Sequence, residues 1–256
     1  MDIKKIAYNF RLQVLDMVMD SKSGHIGGSM SCMDILTALY CELMKENDRF
    51  ILSKGHCAEA LYVVLANKGL IPKELLKTYA TFDTALAEHP TKKVPGVSFA
   101  TGALGHGLSV GVGMGIGQRN SKVYVLMGDG EMAEGSIWEA AMSAAKYQLN
   151  NLIAIVDRNR LQISGDTEEV MPLDDLAKKF SAFNWEVRNC NGHEPVEIIQ
   201  AVRASHDKPL IVIANTIKGY GSDVMEAKAD WHHGIPSGEQ YQQIKESLMH
   251  RRDKND

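Results

Sequence analysis

The sequence predicts an α/β fold in which a parallel sheet is sandwiched between helices. Three observations carry that prediction. Short runs such as Val123–Met127, Asn151–Asp157 and Leu210–Asn215 are apolar at successive positions, the pattern of strands buried on both faces. Segments with helical spacing separate them, the alternation expected of a parallel sheet with crossover helices. Glycine, aspartate and asparagine gather just beyond the runs, where the carboxyl ends of parallel strands meet ligands.

Taken in order, Ile6, Phe10, Val14 and Val18 repeat at helical spacing over residues 3–20, and Ser21–Gly24 ends that helix. A second helix is expected from about Ser31 to Met44, with Ser31 as N-cap and Asp34 at the capping-box position. Arg49–Ser53 reads as a short strand that delivers Lys54-Gly55-His56, and a helix follows through Leu65, ended by Gly69. Residues 81–104 hold Pro90, Pro95 and several Gly and Thr without a period, which predicts a long ordered loop. Leu104–Gln118, rich in glycine and small apolar residues, predicts a helix packed closely against a neighbour. It lacks the Gly-x-Gly-x-x-Gly spacing and follows no strand, so it is not a dinucleotide fingerprint. Then come strand Val123–Met127, helix Glu134–Tyr147, strand Asn151–Asp157, helix Leu173–Phe183, strand Trp185–Asn189, helix Glu194–Ala204 and strand Leu210–Asn215. The charged tail from about Arg251 is expected to fray. No linker or repeat divides the chain, so residues 1–256 read as one domain.

Composition narrows the function. With 256 residues, 45% of them hydrophobic, the chain can bury a core without disulfides or a structural metal. A net charge of −4 argues against general nucleic-acid binding. The apolar runs are too short to span a bilayer. Cys32, Cys41, Cys57 and Cys190 form no Cys-x-x-Cys pair, and scattered thiols suit a reduced cytoplasm.

The most informative segment is the strand that ends in Gly128-Asp129-Gly130 before a helix. Glycines let a diphosphate approach the backbone, and a helix N-terminus offers free N–H groups to its oxygens. Asp129 is a hard oxygen ligand suited to magnesium. The next strand ends in Asp157-Arg158-Asn159-Arg160-Leu161. Asn159 can give a second oxygen and the Leu161 carbonyl a third, leaving diphosphate and water oxygens to complete an octahedron. Gly-Asp-Gly alone is more often a tight turn. The strand before it, the helix after it and the asparagine at the neighbouring strand end turn the balance.

These residues resemble the thiamine-diphosphate signature, and their surroundings narrow the resemblance to transketolases. Ser23-Gly24-His25, Leu52-Ser53-Lys54-Gly55-His56, Pro95-Gly96-Val97, Thr101-Gly102-Ala103-Leu104-Gly105 and Trp231-His232-His233-Gly234 follow in transketolase order. The resemblance runs from about residue 8 to 245 and matches the N-terminal, diphosphate-binding (PP-type) domain, as in the first chain of a split transketolase. It implies transfer of a two-carbon ketol unit from a ketose phosphate to an aldose phosphate, with thiamine diphosphate and Mg2+ as cofactors. It also implies a partner chain of the pyrimidine-binding type, in an α2β2 assembly, to bring the activating glutamate and the substrate-phosphate arginines.

The resemblance further implies roles. His25 and His232 would handle substrate hydroxyl and carbonyl protons, and His56 would face cofactor and substrate. His89 would be a third active-site histidine, and Glu134 would meet the activating glutamate across the interface between the chains. Gly102, Ala103 and Leu104 would contact the pyrimidine, while Gly128, Gly130, Glu131, Asn159, His56 and His232 would hold the cofactor. Asp129, Asn159 and Leu161 would hold the metal. Trp-His favours His232 and the His-Gly-x-Pro pattern favours His233; His232 is the preferred reading. His106 stands where the family often has glutamine, and packing is its expected role; Cys57 is expected to be inert if buried. A thiamine-diphosphate enzyme acting on 2-oxo acids shares Gly-Asp-Gly…Asn but is not expected to carry Ser-Gly-His and Lys-Gly-His together. A non-catalytic homologue would have no reason to keep Asp129, Asn159, His25 and His56.

Overall fold

Four largely apolar runs and one mostly polar edge run form one parallel sheet. The strands are β1 (Arg49–Leu52), β2 (Val123–Gly128), β3 (Leu152–Arg158), β6 (Glu186–Asn191) and β7 (Leu210–Asn215), in the order β1-β2-β3-β7-β6. The computed structural model describes residues 2–254. Successive side chains leave opposite faces of a strand, and both faces are covered. Tyr124, Leu126, Ile153, Ile155 and Val212 face a core shared with helices α1 (Ile3–Ser21), α2 (Ile26–Ala38), α3 (Ala58–Asn67) and α8 (Pro195–Arg203). Val125, Met127, Ala154, Val156 and Ile211 face a second core under α4 (His106–Gly117), α5 (Gly135–Lys146) and α7 (Leu176–Ala182). The expected sandwich is therefore present. Close packing of α4 is also present: a Cβ on Gly111 would lie 2.6 Å from Val125 Cγ2. Residues 79–105 contain neither helix nor strand, as the absence of a period predicts, and Leu86 and Val94 pin this loop to the first core.

Four expectations need correction. Helix α2 begins at Ile26, with His25 and not Ser31 at its N-cap. Ser31 lies inside the helix, where its hydroxyl donates to Asp157 at 2.6 Å. Gly27 and Gly28 are poor helix formers, but tertiary contact overrides propensity: a Cβ on Gly27 would meet the Trp231 carbonyl at 2.6 Å. Asp34 caps nothing and instead accepts from the buried Arg11. Helix α7 starts at Leu176 and not Leu173, because Asp175 supplies the cap by accepting from Lys178 N–H at 3.0 Å. The tail is held as far as Lys254: α9 (Gly238–Lys254) includes its first four residues, and Arg251 pairs with Glu226 at 2.6 Å and with Asp223 at 2.7 Å, while Asn255 and Asp256 lie outside the described residues.

Between β3 and α7 the chain forms a two-stranded hairpin, β4 (Leu161–Gln162) with β5 (Gly165–Asp166), and a one-turn helix, α6 (Thr167–Val170). Gly128 pairs with Asp157, and Arg158 with Asn215. The tips of β2, β3 and β7 therefore end side by side. No helix among the described residues is long and apolar enough to cross a membrane.

Candidate active site

Beyond those tips lies a cleft of about 450 Å³. Its walls include His25, His56, His89, His232 and Glu134, all five expected catalytic residues. Gly102, Leu104, Gly128, Gly130, Glu131, Asp129, Asn159 and Leu161 line it too. Ala103 alone of the expected cofactor set does not; it is exposed between its two lining neighbours.

The oxygen set is built by the backbone. Arg160 adopts a left-handed conformation (φ 65°), a sharp reversal that most side chains avoid. The turn aims its N–H at Asp129 Oδ2, 2.5 Å away, and leaves Asn159 and Leu161 on the cleft wall to either side. Asp129 is almost fully buried and also accepts from Gly130 N–H at 2.8 Å and Arg158 at 3.2 Å. Burial, and next the charge of Asp157, push its carboxyl above the ordinary range against the pull of these donors. A carboxylate so placed gains from a cation. No cluster of three or more His, Cys, Asp or Glu able to hold a metal occurs among the described residues. One carboxylate, one amide and one carbonyl make a set that binds magnesium well only when a diphosphate supplies further oxygens. These donors fit a metal–diphosphate group better than a metal alone.

The histidines converge from four segments. His25 is the hub, with ring centroids 5.4 Å from His56, 6.1 Å from His89 and 5.6 Å from His232. His56 stacks on His232 at 5.2 Å. Burial lowers the pKa of His25 to about 4, and burial followed by the Lys218 charge lowers that of His232 to about 3. Both rings are thus neutral at pH 7. His25 Nδ1 is buried without a hydrogen-bond partner among the described residues, as is Thr101 Oγ1. Unsatisfied groups of this kind point to a ligand or to water. His233 also lies 4.7 Å from His25, but it is exposed and does not line the cleft, whereas His232 does. If burial governs these rings, NMR titration of the imidazoles should show His25 and His232 neutral across roughly pH 6 to 8, unlike an ordinary histidine. A His25 ring that titrates above about pH 6 contradicts that account.

Glu131 lines the cleft, but its side chain turns inward, and His106 differs from expectation. The Glu131 carboxylate is taken up inside the turn: it accepts from Ser53, from Gly105 N–H at 2.8 Å and from Gly128 N–H at 3.1 Å. It shapes the glycine turn, with its oxygens committed there. His106 is exposed at the start of α4, against the packing role expected of it. Cys57 is fully buried, and a Cβ on Gly28 would lie 2.7 Å from its sulfur. That glycine keeps the cleft floor low beside His56 and Lys54.

Two cationic residues carry no expectation from the sequence. Lys54 is buried and paired with Asp157. Lys218 enters the cleft from the loop after β7 and donates to Leu161 O at 3.2 Å and to His232 Nδ1 at 2.9 Å. Burial, and then the Lys54 charge, lower its pKa to about 8. Its signal was available: it follows a third parallel strand end, where the ligand rule applies as well.

Comparison with known proteins gives the family. Residues 3–254 match the family model described as transketolase, thiamine diphosphate binding domain. The chain belongs to that family. It is 48% identical to one subunit of the apulose-4-phosphate transketolase of Phocaeicola vulgatus, over 95% of this chain and 92% of that one. It is 40% identical to the 6-deoxy-6-sulfo-D-fructose transketolase subunit SqwG of a Clostridium species, over 91% and 90%. The crystal structure of transketolase from Campylobacter jejuni superposes with a TM-score of 0.91 at 30% identity, covering 97% of this chain and 43% of that one. Transketolases of that kind are thus spanned over less than half their length, and the subunits over nearly all of theirs.

Proposed function

We propose that this chain is the cofactor-binding subunit of a two-chain transketolase, forming one domain of an α2β2 assembly in the cytoplasm. It would move a two-carbon ketol unit from a ketose phosphate to an aldose phosphate. One observation carries the reading: four imidazoles, those of His25, His56, His89 and His232, line one cleft together with Asp129 and Asn159. The subunit names of the relatives support a companion chain, and the four free cysteines suit a reducing compartment.

Asp129, Asn159 and the Leu161 carbonyl would hold Mg2+, and Lys218, His232 and Gly130 would face the diphosphate. Bound thiamine diphosphate would supply the nucleophilic carbon and the electron sink for breaking a carbon–carbon bond. The residues of the chain do the rest. The neutral His25 can accept a hydroxyl proton from the donor sugar and return it. His232, held neutral beside Lys218, can hydrogen-bond the reacting oxygen. The exposed Glu134 stands at the rim, where the companion chain would close the cleft and exclude water.

The test combines the chain with a companion of the pyrimidine-binding type, thiamine diphosphate, Mg2+ and a panel of donors. Apulose 4-phosphate and 6-deoxy-6-sulfofructose belong in that panel because they are named for relatives. Ketol transfer from a ketose phosphate supports the reading; turnover of 2-oxo acids alone, or of nothing, removes it. His25→Ala should lower kcat by about a hundredfold, the range of general acid–base catalysis, with cofactor affinity nearly unchanged.

A further inference from the structure

Behind the cleft, away from the histidine cluster, lies a second buried polar group. Arg11, fully buried, donates to both Asp34 oxygens, at 3.2 and 2.5 Å. Asp34 Oδ2 lies 2.9 Å from His193 Nδ1. The other ring nitrogen, His193 Nε2, accepts from the backbone N–H of Ile217 at 2.8 Å. Tyr220 stacks on the imidazole at 3.5 Å with planes 9° apart.

These bonds dictate a tautomer. The Arg11 charge keeps the Asp34 carboxyl below its ordinary range despite the opposing effect of burial, so it can only accept. His193 must then donate through Nδ1 and accept through Nε2. The ring is a relay of orientation from the α1–α2 pair to the strap that follows β7. That strap is held at each residue: Thr216 Oγ1 donates to Asp157, Ile217 N–H to His193, and Gly219 N–H to Gly27 O at 2.9 Å. Its remaining residue, Lys218, is the one that enters the cleft.

We infer that His193, oriented by Asp34, is a positioning residue: it fixes the strap backbone at Ile217 so that the Lys218 ammonium stands over the diphosphate end of the cleft. The inference rests on the proposed cofactor reading for the identity of the ligand, and on geometry alone for the strap.

Two variants separate pairing from packing. His193→Phe keeps an aromatic face for Tyr220 but offers neither donor nor acceptor, whereas His193→Gln keeps one of each. Hydrogen–deuterium exchange on the full chain reads the strap directly. In His193→Phe, the peptide spanning residues 216–219 should exchange at least about tenfold faster while β2 and β3 stay protected; in His193→Gln it should stay near wild type. Unchanged exchange in His193→Phe overturns the inference. Should that variant fail to fold, the smaller His193→Leu replaces it under the same criterion.

A second arm measures thiamine diphosphate affinity by calorimetry with Mg2+ and the companion chain. His193→Phe should weaken binding by about tenfold, the scale on which supporting partners act. In a Lys218→Met background the same substitution should cost almost nothing, since the two act as one unit. Additive losses overturn the inference. If the wild-type complex itself binds no thiamine diphosphate, the proposed function fails, and the exchange experiment decides the strap on its own.

Discussion

Replacing Asp129 and Asn159 together by alanine should abolish cofactor binding while leaving the fold intact. The expected loss is at least about a thousandfold in thiamine diphosphate affinity with Mg2+, roughly 4 kcal/mol. The two residues sit at the tips of neighbouring strands whose last paired positions are Gly128 and Asp157. Each would contribute an oxygen, and without both, magnesium would keep only the Leu161 carbonyl on the protein side. Stability should change far less than affinity, because opposing effects meet at Asp129. Burial and the Asp157 charge work against its carboxylate, whereas Arg158 and the Arg160 and Gly130 N–H groups favour it. Its removal leaves Arg158 with Glu168 as its remaining partner, so the melting temperature of the cofactor-free chain should fall modestly. Calorimetry on the reconstituted complex reads the first effect and thermal melting the second. Unchanged affinity in a folded double variant would sink the metal–diphosphate reading.

What could be read from the residues depended on how much information each element carries locally. Strands β2, β3 and β7 are continuous apolar runs, because helices cover both sides, so their positions and the ligand-binding edge were plain. Edge strand β6 extends to Asn191, two residues past its apolar signal, because a strand paired on one side only tolerates polar residues. The start of α2 was misplaced because Gly27 and Gly28 oppose a helix locally, and only contacts with Trp231 and Cys57, distant in sequence, explain them. Helix α9 was missed because it buries only Ile244 and Leu248, too thin a stripe to stand out. The candidate site was legible wherever chemistry and local turn coincide, as at Asp129, Asn159 and His56. It was not legible where a side chain arrives from a separate segment. Lys218 gains its place from the strap after β7, and the Glu131 carboxylate is drawn into the turn by Ser53 and Gly105 although the residue lines the cleft. Sequence spacing encodes neither event.

Arg11→Leu should be the most destabilising single substitution away from the cleft. Arg11 is the largest fully buried side chain, and its guanidinium makes two bonds to Asp34 and two to the Met30 carbonyl, the latter at 3.1 and 2.9 Å. Leucine fills part of the volume but leaves Asp34 buried with the His193 ring as its remaining side-chain hydrogen-bond partner. Removing one member of a buried pair costs about 3–5 kcal/mol. In a chain of this size each kcal/mol shifts the melting temperature by roughly 2–4 °C, so a fall of about 10 °C is expected. The effect should depend on pH in a definite direction. The Asp34 pKa is depressed below 3.8 in the folded chain. The stability it contributes is therefore present above that value and lost as pH falls through the lower folded value. The gap between wild type and Arg11→Leu should accordingly be widest near neutrality. It should close in acid, where the variant escapes its penalty by protonating Asp34. Adding Asp34→Leu to Arg11→Leu removes the stranded charge and should recover part of the loss, since apolar pairs often replace buried ion pairs at little cost. A melting temperature for Arg11→Leu within about 2 °C of wild type at pH 7 would mean that Asp34 draws its stability from His193 and not from the guanidinium.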